Sequence, residues 1–525
     1  MKPVFLSIAL LAVAQGVMAQ QGSWADYASD NVLPDEGSES TYTISSEADL
    51  AWVAKQVNDG EKDCYGCTIN LADDLDLSDY YWEPIGYGTE GEDYQAFMGA
   101  FNGNGKTISG LYIDKPEGLG VGLFGYIHNP ARIENVKIAT SEIKGNFMVG
   151  AIVGNYCGRP MNENVGIFNC EVGADVTVTA VAEGDFSGST VGGIIGYLEY
   201  ATISHCINAA TVIGDEATGG IAGMFAGGED QATLKPCTVT ECYNLGTVTE
   251  NDAVESGYWI TRFTDTNDAI FNITFLDDDR DAAINNDKRI FNYEGATVNV
   301  TLKDRTLYKD RSWNTFCVPF GFENSDLRGP SLASPTIMEF EYSEINEENG
   351  ELSLDFVGAN GVESGHTYLI KWEVEEGNEE EVNSPVFENV VMGRQESLMP
   401  REVDQGPVSF KGIYTPYSSD GINKSVLFVG AGDKLLYPES AMTIGAFRAY
   451  FELPEGVEAG QPDPTDPESS IKSFVLNFGD EGTGISEIHL SEPAAPWYSL
   501  DGCKLSGKPA TKGLYVQNGK KMMIK

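Results

Sequence analysis

Between Gly122 and Met224 the apolar residues recur in a glycine-flanked hexad: GLFGYI at Gly122–Ile127, GAIVGN from Gly150, GGIIGY from Gly192 and GGIAGM from Gly219. A looser motif follows each hexad and sets two apolar residues three apart: Ile133 with Val136, Ile167 with Cys170, Ile203 with Cys206, Val239 with Cys242. The last members of these pairs lie 34, 36 and 36 residues apart. A fixed period of that size predicts a solenoid, in which each repeat packs mainly on its neighbours. Glycine at both ends of the hexad permits a corner there. Strand residues three apart point to opposite faces, so both members of each apolar pair turn inward only across a second corner or a bulge. The residue before the last member is Asn135, Asn169, His205 or Glu241. Asn accepts the left-handed backbone region more readily than most residues, which puts the corner at that slot and makes His205 a turn residue. Cys170, Cys206 and Cys242 then form an internal ladder of small buried groups. Thiols stacked in one direction do not favour the disulfide dihedral, so they are expected to be mostly unpaired.

Ahead of the repeats, Ser46-Glu47-Ala48-Asp49 resembles a capping box with an acid at its third position, and Leu50, Val53 and Val57 follow at helical spacing until Gly60. One amphipathic helix here predicts a cap over the open apolar end of the first repeat. Tyr80, Tyr81 and Trp82 follow beside acids. Sugar rings stack on exposed aromatics, so these three are the candidate ligand-stacking residues; the competing reading makes Trp82 and Ile85 plugs for the end of the stack. Asn102-Gly103-Asn104-Gly105 predicts a tight turn. It is not read as a phosphate loop, which needs a helix just after it, because Thr107–Ile113 is strand-like.

Beyond Gly257 the period is lost. Short strands are expected at Asn272–Phe275 and Val298–Leu302, with a helix at Ala282–Ile290 whose N-terminal end carries the acids of Asp277–Asp281. A calcium loop is the alternative for those acids, but the spacing lacks the EF-hand glycine. Strand-like runs continue at Trp313–Phe322, Ile337–Tyr342, Thr367–Val374, Pro385–Val391, Val408–Tyr414, Ser425–Phe428, Ile444–Leu453 and Lys472–Phe478. Such runs between turn clusters, with exposed loops at Glu375–Glu381 and around Pro462, Pro464 and Pro467, predict an antiparallel β-sandwich.

Composition narrows the function. With 42% hydrophobic residues the chain is core-forming, and 59 glycines in 525 residues suit a turn-rich β protein. Against 80 acidic residues stand 33 basic ones, a formal charge of −47, which repels phosphate backbones and anionic lipid headgroups. Nucleic acid is therefore not an expected partner. Lys2, the apolar Val4–Val13 and the small-residue site Val17-Met18-Ala19 read as a secretory signal, too short for a membrane span. Nine cysteines are an odd and sparse set. Cys64-x-x-Cys67 lacks a second such pair and reads as a local bridge or two buried thiols.

The string GAFNGNGKTISGLYI, then GLFG, VGAIVG…GIFNC, VGGIIG…TISHC and TGGIAG…VTEC, resembles the GLUG-motif family of bacterial surface proteins over roughly Tyr42–Thr249. That resemblance implies a right-handed parallel β-helix behind an N-terminal cap. RTLYKDRSWNTFCVPF, IGAFRAYFEL and SFVLNFG resemble a β-domain of secreted proteins of Gram-negative anaerobes, which implies no catalytic residues. Leu500-Asp501-Gly502, the Gly513–Val516 strand, the Asn518-Gly519 turn and the basic end resemble a type IX C-terminal sorting domain, with Cys503 where a polar residue is common. The expected organisation is mainly β: a signal peptide over 1–19, a leader over 20–41, a capped parallel β-helix over 42–254, an antiparallel sandwich over 255–484 and a sorting-like β tail over 485–525.

The expected function is a non-catalytic exported surface protein, adhesin-like or binding a glycan or host ligand, at the outer-membrane surface or outside a Gram-negative cell. Secretion machinery would be a partner through the tail. No catalytic, cofactor-binding or metal-binding residue is assigned, since His128, His205, His366 and His489 are scattered and neither HExxH nor GxSxG occurs. The alternative is a polysaccharide lyase or hydrolase built on the β-helix. A pocket joining acids with Lys or Arg near Tyr80–Trp82 would favour it.

Overall fold

The computed structural model describes residues 22–478 with breaks at 32, 34–39, 89–93, 159–164, 181–188, 216, 227–236, 251–252, 256–268, 280–283, 328–331, 376–379, 395–398, 431 and 461–469. Beyond 478 it describes Ser486–Glu487, Gly513–Gln517 and Lys520–Ile524. The signal peptide, Asp281, the prolines 462, 464 and 467, His489, Leu500–Cys503 and the Asn518-Gly519 turn lie outside the described residues. The chain divides into two compact units. One runs to Asn272 and takes in Phe291–Tyr293; the other holds Ile273–Ile290 and the chain from Glu294 onward.

The first unit is built mainly of parallel ladders, to which successive repeats add strands, with one antiparallel pair between Val248–Glu250 and Ala253–Glu255. Tyr42, Ile69, Phe101, Ile133, Ile167, Ile203, Val239 and Phe271 are consecutive Cα partners along one ladder. All eight are buried, since in-register parallel pairing sets equivalent side chains one above another on one face. Ile113, Ile143, Val178, Val212 and Val248 make a second such column, also buried. Burying one such side chain is worth about 1.5–3 kcal/mol. Ala269–Leu276 extends the first ladder by pairing in parallel with Cys237–Thr240, so the repeat unit runs past the expected boundary at 254.

The corner slot is as expected. Asn135, Asn169, His205 and Glu241 have φ of 57°, 51°, 55° and 51°. Each backbone N–H donates to a carbonyl of the following repeat: Phe168, Ser204, Thr240 and Asn272, at 2.8–3.0 Å. The left-handed residue turns the chain and aims its amide at the next repeat. The Asn102–Gly105 turn has positive φ at Asn104 and Gly105 and closes through Lys106 N to Gly103 O at 2.8 Å.

The hexad glycines serve for a different reason. Gly154, Gly196 and Gly223 do not have positive φ. A Cβ on them would lie 2.2 Å from Val121 N, 2.4 Å from Val149 N and 2.5 Å from Val191 N. Each hexad folds as strand, bend and strand, as in Phe147–Gly150 followed by Val153–Cys157. The second strand runs against the backbone of the preceding repeat, where no side chain fits.

The helix Glu47–Asn58 starts at Ser46, whose hydroxyl accepts from Asp49 N at 3.3 Å, and it buries Leu50, Val53 and Val57. The Asp49 carboxylate reaches Ser45 N rather than the cap's own N–H, which distinguishes it from a full capping box. The expected loose leader is corrected in its described part. Trp24 is buried in the short 3₁₀ turn Trp24–Tyr27 and donates its indole N–H to Leu77 O at 3.0 Å, and Leu33 is buried too. These apolar groups tie the leader to the cap.

In the second unit two sheets share a core, and Thr297–Lys303, Val386–Met392, Phe320–Glu323 and Gly361–Val362 pair in a further row. The strands Asn314–Cys317, Thr367–Lys371, Thr336–Asn346, Glu351–Ala359, Ser473–Asn477 and Ser486–Glu487 pair in that order. Glu402–Asp404, Ser409–Ile413, Arg448–Glu452, Val426–Gly430 and Lys434–Leu436 form the other. Phe340, Phe356 and Leu369 of the first share one core with Phe410, Leu427 and Phe451 of the second. The expectation of purely antiparallel pairing is corrected: Ser473–Asn477 runs parallel to Glu351–Ala359. Glu351–Ala359 pairs antiparallel with Thr336–Asn346 on its other side, so the late strand takes its remaining edge in the direction from which the chain arrives. Glu351–Ala359 itself was not anticipated, although Leu352, Leu354 and Phe356 alternate with polar residues. The expected run Ile444–Leu453 is broken by Phe447 at φ 58°. The expected helix begins later, as Asn286–Asn292. Of the acids ahead of it, Asp277 pairs with Arg448, and Asp279 accepts from Asn286 N at 2.9 Å. Burial raises the Asp279 carboxyl to about 6.

Candidate ligand groove at the helical cap

Tyr80, Tyr81 and Trp82 do not act as one platform. Trp82 is buried, with its indole N–H donating to Leu123 O at 3.1 Å, and Ile85 N donates to the same carbonyl at 3.0 Å. Both plug the end of the stack, which removes Trp82 from the stacking set. Tyr80 is half-buried and stacked on Tyr27, with centroids 3.9 Å apart, and the hydrogen bond its hydroxyl donates to Tyr27 raises its phenol above the ordinary value. Only Tyr81 is brought to the surface, tilted against Tyr112 at 5.2 Å.

The concave surface lies beside the trio. One cavity of about 260 Å³ has a floor of Trp24, Ala51, Ala54 and Trp82 and a rim of Lys55 and Asp59. An adjoining cavity of about 280 Å³ is lined by Lys115, Leu119 and Val121. Asn58, Glu83 and Tyr87 line both. Tyr87 was missed in the sequence, where nothing but its aromatic character marks it.

The groove is held by hydrogen bonds that leave its rim side chains in place. Asn58, at the end of the cap helix, donates to Pro84 O at 3.0 Å and accepts from Gly86 N at 2.8 Å, pinning the loop to the helix. Gly86 has φ 79°, and a Cβ there would meet Tyr126 O at 2.3 Å. Tyr87 exchanges both backbone hydrogen bonds with Gln95, at 2.8 and 3.0 Å, while its ring stays exposed. Lys115 Nζ lies 2.6 Å from Glu83, and Lys55 lies 3.7 Å from Asp59.

No family model matches the chain, and no solved structure matches it. Over 174 residues, 31% of the chain, it is 32% identical to Halomucin of Haloquadratum walsbyi, and covers 2% of that protein. Over 138 residues, 25% of the chain, it is 31% identical to a protein of Evansella cellulosilytica described as a Gly-rich membrane protein, and covers 15% of it. The chain thus spans a small part of the length of either relative.

Each of the three described histidines has a local partner of its own. His128 contacts the Asn129 carbonyl, His205 the Ser204 hydroxyl, and His366 lies 3.1 Å from Glu339 in the second unit. His205 occupies a slot that requires left-handed backbone, so His205→Asn is expected to leave the thermal midpoint unchanged or slightly higher. A clear drop would show that the imidazole carries an interaction of its own.

Val136, Cys170, Cys206 and Cys242 are buried at the corner, as expected. Each thiol donates to the carbonyl two residues before it, Phe168, Ser204 or Thr240, at 3.4–3.5 Å. The side chains thus share one rotation, which explains why stacked cysteines stay unbridged. Burial pushes the Cys170 and Cys206 thiols well up. Maleimide at mildly alkaline pH is expected to spare all three in the folded chain and to label them in denaturant, read by peptide mass spectrometry; native labelling would break the ladder reading. Cys64 and Cys67 are two buried thiols.

Proposed function

We propose that the protein is a non-catalytic exported surface protein, adhesin-like, which presents a glycan- or host-ligand-binding surface. In this reading the capped repeats are a right-handed parallel β-helix of the GLUG type, the second unit is a β-sandwich, and the end of the chain is a type IX-like sorting tail read by secretion machinery. The observation that carries it is the in-register parallel stacking from Tyr42 to Phe271, closed at its start by a helix and the Trp82 plug. Such stacking makes a long, regular surface whose outward residues are free to vary. The names of the two partial relatives, Halomucin and a membrane protein, support a place at the cell surface or outside it. The outer-membrane surface of a Gram-negative cell follows in this reading from the type IX-like tail alone. Proteinase shaving of intact cells tests this. The full chain should be cleaved from outside, and a version ending at Ile485 should stay protected inside. Protection of the full chain would overturn the reading.

A second reading, a polysaccharide lyase or hydrolase, is favoured by one observation. The groove joins Glu83 and Asp59 with Lys115 and Lys55 beside Trp82. The lysines are engaged with those same carboxylates, which suits binding better than proton transfer. Release of new reducing ends or unsaturated products from a polysaccharide panel, lost in Glu83→Gln, would establish the enzyme instead.

A further inference from the structure

The geometry points to the cap groove as a binding site for a short neutral oligosaccharide, with the Tyr87 ring as its stacking platform and the Glu83–Lys115 pair as its hydroxyl-recognising group. This rests on the surface-binding reading and deepens it by naming the site and the ligand class.

Shape comes first. Pockets for drug-sized ligands occupy about 300–1,000 Å³, so cavities of about 260 and 280 Å³ that share a wall fit a linear chain of a few sugar units better than one bulky ligand. The shared wall is where Tyr87 stands.

The side chains supply the matching chemistry. A pyranose has one face of C–H groups and an equator of hydroxyls, so it wants an aromatic face and planar polar groups that donate and accept. Tyr87 is 45% exposed, while its backbone is fixed by the Gln95 pair. An exposed ring on a fixed backbone loses little conformational freedom on binding. The indole N–H groups of Trp24 and Trp82 are already spent on Leu77 and Leu123, so the floor offers hydrocarbon edges. Glu83 accepts and Lys115 donates at 2.6 Å from each other, a spacing that can serve two neighbouring hydroxyls.

Charge decides between neutral and acidic sugars. The chain carries −47 overall, and the two lysines of the groove are each paired with a carboxylate. Among the described residues of the groove no cation is left over for a uronate or sulfate, and the global field repels a polyanion. Within the Tyr80–Trp82 trio no ring is the stacking platform of this site: Trp82 is buried and gives only its edge to the floor, Tyr80 is covered by Tyr27, and Tyr81 does not line either cavity.

The test titrates cellotetraose, mannotetraose and tetragalacturonate into the full chain by calorimetry, with Tyr87→Ala, Glu83→Gln and the control Tyr81→Ala. At least one neutral tetrasaccharide should bind. Tyr87→Ala should weaken it roughly tenfold or more, Glu83→Gln should weaken it less, and Tyr81→Ala should leave it unchanged. Because the Tyr87 ring is exposed, its removal should leave the melting curve in place, which separates lost binding from lost fold. Binding by tetragalacturonate alone, or unaltered binding by Tyr87→Ala, would overturn the site. If no tetrasaccharide binds while the chain still adheres to host cells, this inference fails and the surface-binding reading stands. Loss of adhesion as well would remove both.

Discussion

Gly196→Val is expected to unfold the repeat unit under conditions where the parent chain is stable. A Cβ at Gly196 would lie 2.4 Å from both Met148 C and Val149 N, main-chain atoms of the preceding repeat that cannot swing aside. Relief needs the two repeats to separate locally, which breaks ladder hydrogen bonds on both sides and opens the packed columns at Val149 and Ile195. Overpacking a core costs about 1–3 kcal/mol when side chains can adjust. A clash against backbone inside a stack should exceed the ~4–5 kcal/mol that marks an exceptional single mutation. Gly105→Ala is the contrast: φ is 72° with open space around the Cβ, so only the left-handed penalty of roughly 1–2 kcal/mol applies. Urea unfolding of the full chain followed by circular dichroism, with limited proteolysis of the repeats, compares the two. A midpoint for Gly196→Val close to that of Gly105→Ala would refute the close-approach explanation of the hexad.

The second large effect is expected at Asn244. In its ladder Ile108, Ile138 and Val172 are followed by Asn208 and Asn244, all buried. Asn208 Nδ2 donates to Asn244 Oδ1 at 2.9 Å, and each side chain also accepts from the backbone two residues on, Ala210 N or Gly246 N, at 3.1 Å. Asn292 closes the row by donating to Asn244 O at 3.2 Å. Gly193 and Gly220 lack a Cβ because the two amides fill that space, at 2.2 and 2.0 Å from where it would sit. Asn244→Ala strands the Gly246 amide, removes the donor to Gly246 O and takes from the Asn208 amide its Asn244 acceptor. With about 1–3 kcal/mol for each unsatisfied buried group, the cost should be about 3 kcal/mol or more. Asn208→Ala with Asn244→Ala should cost less than the sum of the single changes, because neither amide is then left without its mate. Strict additivity in denaturant midpoints would show that the two side chains act independently.

The legible parts of this protein were those that recur. Four apolar pairs three residues apart implied a corner, and the left-handed φ at Asn135, Asn169, His205 and Glu241 bears that out. The cap helix was readable because Ser46, Leu50, Val53 and Val57 obey a local rule that needs no partner. Leu352, Leu354 and Phe356 carry a period-two signal too, but an acidic turn runs directly into their strand and obscures it. The groove was hardly legible. Tyr80–Trp82 drew attention by composition, but along an extended backbone alternate side chains face opposite ways, and Trp82 was sent inward. Tyr87, Lys55 and Lys115 come from three separate stretches of chain.

By itself, the sequence determined the period of the repeats, the corner slot, the thiol ladder and the cap, since each follows from residues spaced along one segment. Only the tertiary structure decided why the hexads need glycine, why asparagine stands inside the stack, and where concave surface forms. Those answers depend on how closely one repeat's backbone approaches the next and on which distant loops share a wall, and neither distance is written in any single stretch of residues.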